Sequence, residues 1–123
     1  MNRVVLVGRL AADPDLKYTT SGLPVATLRV AVRRAVRSED GQQADFIEVV
    51  VWRQTAEYAA KWLRKGTLVG VSGRLQTRSY ERNGQRHIRY EVVADTLDCI
   101  QRPRGEQATG DDQEAEYDPF GHD

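Results

Sequence analysis

Ser72, Arg74, Gln76, Arg78 and Tyr80 share one parity in the segment KGTLVGVSGRLQTRSY over 65–80, and Val69, Val71, Leu75 and Thr77 share the other. Successive side chains of a strand point to opposite faces, so this strand has one apolar face and one basic face closed by an aromatic ring. Guanidinium groups pair with phosphates and a flat ring stacks on flat bases, so the chemistry is non-covalent recognition of a polyanion that carries bases. Gly66, Gly70 and Gly73 allow the strand to bend as it wraps a small barrel. A second aromatic pair, Phe46 and Trp52, shares a face with Glu48 and Val50, while Ile47, Val49 and Val51 form an aliphatic face able to supply the core. The aromatic face is thereby left for stacking. By strand parity or loop position, Arg33, Arg34, Arg74, Arg78 and Arg86 join the candidate binding set.

Other chemistries lack their residues. The two carboxylates of Asp13-Pro14-Asp15 read as a solvated turn, with no third metal ligand nearby. His87, His122 and the single Cys99 do not make a zinc set. Asp13, Asp15, Glu48 and Glu91 are scattered along the chain, whereas a metal-dependent nuclease needs clustered carboxylates. No catalytic residue, metal or cofactor is expected. A lone cysteine between Leu97 and Ile100 reads as packing and points to a reducing compartment. The start has no signal-peptide pattern and no stretch is long enough to span a membrane, so a soluble cytoplasmic protein without a membrane partner is expected.

The elements that must position the site follow in order. The spacing predicts strands over 2–10, 26–33 and 45–53, a helix over 54–65 capped by Thr55 and stopped by Gly66, then strands over 65–80 and 87–100. Ala56, Ala59, Ala60 and Leu63 form the helix's apolar stripe, and Trp62, on its flank, reads as packing. Asp40-Gly41 centres a polar loop, and Asn83-Gly84 signals a type I′ hairpin turn. The first strand is apolar enough to be buried on both sides or to sit in an interface. Three strands, a helix and two strands fit an all-β, five-stranded oligonucleotide-binding (OB) barrel with one short helix.

Charge divides the 123 residues: residues 1–104 hold 18 bases against 11 acids, a net of plus seven, and residues 105–123 hold seven acids and no Lys or Arg. The expected organisation is a folded binding domain over 1–103 and a disordered acidic tail over 104–123. Near its end, Asp118-Pro119-Phe120 has the composition of a short peptide that docks into a basic, apolar pocket, and a merely solubilising tail competes with that reading.

Three pieces in matching order, NRVVLVGRLAADPD at the start, ADFIEVVVWRQTAE in the middle and the segment over 65–80, resemble the bacterial single-stranded DNA-binding protein family over residues 1 to about 101. The resemblance implies a homotetramer of OB barrels that wraps single-stranded DNA in replication, repair and recombination, with a tail that recruits proteins of DNA metabolism. Its stacking aromatics match Phe46, Trp52 and Tyr80, its basic contacts match Lys65 and Arg78, and a fourth aromatic position is occupied by Val36. Family tails end on Pro-Phe, whereas Gly121, His122 and Asp123 follow Phe120 here. A protein-binding adaptor of the replication machinery is the alternative, favoured if the chain captures a protein and ignores single strands.

Overall fold

The computed structural model describes residues 1–36 and 39–103; Arg37 and the expected tail with Asp118, Pro119 and Phe120 lie outside the described residues. The elements are β1 (Val4–Leu10), β2 (Asp15–Tyr18), β3 (Pro24–Arg33), β4 (Ala44–Trp52), α1 (Arg53–Trp62), β5 (Leu68–Arg82) and β6 (Gln85–Gln101). β1 pairs with β5, β5 with β6, β6 with β4 in parallel, and β4 with β3. Arg9 and Leu10 of β1 then meet Ala31 and Val30 of β3, which closes a five-strand ring. This is the expected OB architecture, all-β with one short helix.

Alternation dictates what the ring encloses. Leu28 and Val30 of β3, Val49 and Val51 of β4, Val69 and Val71 of β5, and Val92 and Leu97 of β6 point inward and are buried. Two glycines are required where strands approach too closely for a side chain. A Cβ at Gly8 would collide with the Ala31 carbonyl where β1 crosses β3, and one at Gly73 with the Val93 carbonyl. At Gly73 the β5–β6 register also shifts, because β6 carries one extra residue at Asp95. That bulge bends the pair, as the glycine-bearing strand predicts. Arg3 holds Asp95 at 3.1 Å, and its guanidinium keeps that carboxyl below the usual carboxylate range.

Four local expectations are corrected. A sixth strand, β2, forms after the Asp13-Pro14-Asp15 turn and pairs with the start of β3 on the edge that β1 leaves free. Its hairpin is fixed by Thr19, whose hydroxyl accepts the Leu23 N–H at 3.0 Å. The helix is shorter than 54–65, and Thr55 does not cap it: Trp52 stands at the N-cap with no side-chain hydrogen bond. At its C-terminal end the hydroxyl of the buried Thr67 accepts the Arg64 N–H at 3.2 Å, in place of another helical bond, and donates to the Arg64 carbonyl at 2.8 Å. On the helix, Tyr58 takes the buried place expected of Ala60, which is exposed. The last correction concerns β5: beyond Gly73 its apolar parity leaves the barrel, and Leu75 and Thr77 are exposed.

Beyond that point β5 and β6 continue as a two-stranded arm whose turn is Asn83-Gly84, with φ of 53° and 76°. Positive φ at both central residues is the type I′ geometry the sequence predicts. The arm is tied to the chain's start through Asn2, whose side chain donates to the Leu75 carbonyl at 2.7 Å and accepts the Leu75 N–H at 2.8 Å.

Candidate nucleic-acid interface

The register lays the outward-facing residues side by side. Trp52 lies opposite Val25, Val50 opposite Thr27, Glu48 opposite Arg29 and Phe46 opposite Ala31 across β3 and β4. Val50 lies beside Val93 of β6, and Arg74 opposite Val93 across β5. Continuing along the arm, Gln76 faces Glu91, Arg78 faces Arg89 and Tyr80 faces His87. One sheet face therefore carries Phe46, Trp52, Arg74, Arg78 and Tyr80 together. Its floor is a trough of about 430 Å³ lined by Thr27, Glu48, Trp52, Arg78, Arg89 and Glu91 among others. Phe46, Trp52 and Tyr80 are 52%, 36% and 41% exposed, which is what a ring needs in order to stack on a base.

Polar partners order the cations of this face. Glu91 is only 3% exposed, and its Oε2 accepts from Arg78 Nη2 at 3.0 Å and Gln76 Nε2 at 3.1 Å. Arg89 pairs with Glu48 at 3.6 Å and Lys17 with Asp15 at 3.7 Å. The carboxylates Asp15, Glu48 and Glu91, scattered in the sequence, thus line a single trough, which corrects the expectation that they stay apart. Each is paired with a cation, and among the described residues no three His, Cys, Asp or Glu form a metal-binding group. A guanidinium has five N–H donors, so one bond to Glu91 leaves Arg78 others for a phosphate.

The remaining predicted residues lie elsewhere. Arg34 forks onto Asp45, Nη2 at 2.7 Å and Nε at 3.1 Å from its oxygens; this hydrogen bonding raises the guanidinium's pKa and holds Asp45 below the carboxylate range. Its charge is already answered. Arg33 is exposed at the end of β3, and Lys65 is exposed at the opposite end of β5 from Tyr80, in a turn where its N–H donates to Asp13 at 2.8 Å. Arg86 lies opposite Glu81 on the reverse face of the arm from Tyr80. Three residues of this face stand outside the predicted set: Arg29, stacked 4.9 Å over Phe46, Arg89 and His87. The parity of Thr27, Arg29 and Arg33 signalled the first. Pairing register alone reveals the other two.

The single-strand binding protein family model matches residues 1–100. The chain belongs to this family. It is 50% identical to a single-stranded DNA-binding protein of Halalkalibacterium halodurans over 89% of this chain and 66% of that protein. Against a protein of the same name from Bacillus cereus, identity is 48% over 99% of this chain and 74% of the relative. A Streptococcus mutans single-stranded DNA-binding protein is 45% identical over 99% of this chain and 73% of its own length. Members of this family are DNA-binding proteins of DNA metabolism and not enzymes. No helix among the described residues is long and apolar enough to cross a membrane.

Proposed function

We propose that this chain binds single-stranded DNA with little sequence preference, its bases stacking on Phe46, Trp52 and Tyr80 and its phosphates meeting Arg74 and Arg78, in replication, repair and recombination. The observation that carries this reading is the shared face: the exposed rings Phe46, Trp52 and Tyr80 lie with Arg74 and Arg78 on one side of the sheet, whose trough is lined by Trp52, Arg78 and Arg89. Every base has a π-face, so stacking tolerates any sequence, and duplex DNA hides those faces. Arg33, Lys65 and Arg86, exposed at three other places, contact phosphates of a longer wrapped path. Arg34 contributes less because Asp45 holds it.

The working unit is a homotetramer in the cytoplasm. Only Arg9 and Leu10 of β1 pair with β3, so the edge over 4–8 is open on that side, and Val5 and Val7 are exposed beside it. Light scattering at four times the 13.9 kDa chain mass is the expected result. The domain over 1–103 holds the DNA, and the tail over 104–123 recruits proteins of DNA metabolism through Asp118, Pro119 and Phe120.

Titration with oligo-dT and with duplex of equal length, read by tryptophan fluorescence in a Trp62→Phe background across a salt range, tests the reading. Quenching by the single strand alone, weakening with salt, is expected. Absence of binding at low salt overturns it, and capture of a protein partner by such a chain favours the adaptor.

A further inference from the structure

The single-strand reading uses Tyr80 as a lone ring on the arm, yet that ring is not alone. Its cross-strand neighbour is His87, and the two rings are stacked with centroids 5.3 Å apart and planes 22° from parallel. Both are on the face that holds the trough. Toward the barrel the next pair is Arg78 opposite Arg89, and toward the tip it is Arg82 opposite Gln85. Asp15, Glu48 and Glu91, the carboxylates of the trough, are held by Lys17, Arg89 and Arg78, while Glu81 belongs to the reverse face with Arg86. The ring pair is therefore bordered by three guanidinium groups on its own face.

We infer that His87 is a base-stacking residue: with Tyr80 it forms one composite platform of two rings at which the arm seats the bases of a single strand, their phosphates reaching Arg78, Arg82 and Arg89. Offset stacking of the two rings fixes them in a common orientation across the hairpin, so less freedom is lost when a base settles on them. A ring on one strand alone is held by one side chain and is free to turn about it. Two stacked rings hold each other from both strands and present their outer faces to the bases.

This inference rests on single-strand binding by the parent chain, and its test separates the two. Affinity for oligo-dT is measured at pH 8 across a range of salt concentrations for the full-length parent, His87→Ala, His87→Thr and His87→Phe, with thermal melting of each. Thr brings a β-branched side chain suited to a strand, so it serves where Ala loosens the arm. The expected result is a loss of about fivefold or more for Ala and Thr, near-parent affinity for Phe, and unchanged melting. The salt slope stays at the parent value in all three, as expected of a residue that meets bases and not phosphates. With Tyr80→Ala, the double variant loses less than the product of the single losses, as expected when two rings act as one platform.

A parent that binds and a Thr variant that binds equally overturn this inference alone. So does a Phe variant as weak as Ala, which makes His87 a hydrogen-bonding group, or a slope smaller by about 0.7, which makes it a phosphate contact. A parent that ignores oligo-dT overturns the single-strand reading with it.

Discussion

Val69 and Val71 in the first half of β5 are 0% and 2% exposed, whereas Leu75, on the same parity of the same strand, is 43% exposed. Both halves are paired throughout with β6 and both alternate. The difference is what stands across from them. The first half has β1 on its other edge and faces the inward side chains of β3 and β4, so its apolar face is covered. Past Gly73 β1 no longer lines the other edge of β5, and although Val92 opposite Leu75 still pairs with Val49 of β4, the same face of β5 opens to solvent. Burial is thus a property of ring closure, and the arm is free to serve the ligand with its opposite, basic face.

The largest expected effect tests this contrast directly. Leu28→Ala, at a fully buried site, is expected to cost about 2–5 kcal/mol in denaturant unfolding, and Leu75→Ala about 0.5 kcal/mol or less. Equal losses would mean that the arm is covered in solution, for instance by a second copy. Next comes Trp52, at the trough between barrel and arm. Trp52→Ala is expected to weaken oligo-dT binding by about 1–3 kcal/mol while Trp62→Phe leaves affinity near the parent's, as read by anisotropy of a labelled strand.

Smaller effects compare Arg78 on the arm with Arg34, just past β3. Removing Arg78 is expected to lower the magnitude of the log–log salt slope by about 0.7, whereas Arg34→Ala leaves it close to the parent's because Asp45 already answers that charge. An equal drop for both would erase the distinction. The smallest effect is a pH dependence of stability. Asp45 is held below the carboxylate range by Arg34, so its pairing stabilises the fold fully above about pH 4, the unfolded value, and less as pH falls through the lower folded value. The difference in melting temperature between parent and Arg34→Ala should therefore shrink as pH is lowered from neutrality through that window. A difference that grows with acid would reverse the sign and exclude the pair as its source.

Much of the site was legible because parity is a local property. Phe46 and Trp52 had to share a face of β4, and Arg74, Arg78 and Tyr80 a face of β5, whatever the strands packed against. Arg86 shows where that reasoning stops: its loop position placed it near the ligand, but the hairpin register puts it opposite Glu81 on the reverse face. Arg34 shows a second limit, since Asp45 lies eleven residues away and only strand pairing brings the two side chains within 2.7 Å.

By itself the sequence determined the alternating strands, the type I′ turn at Asn83-Gly84 and the apolar and basic faces, because side-chain parity and the φ that each residue tolerates are set within a few bonds. Only the tertiary structure decided which apolar faces are buried, where the helix stops and which cations remain free for phosphates. Those outcomes depend on ring closure, on the turn that buried Thr67 makes around Arg64, and on charges brought together by register, none of which neighbours in sequence can fix.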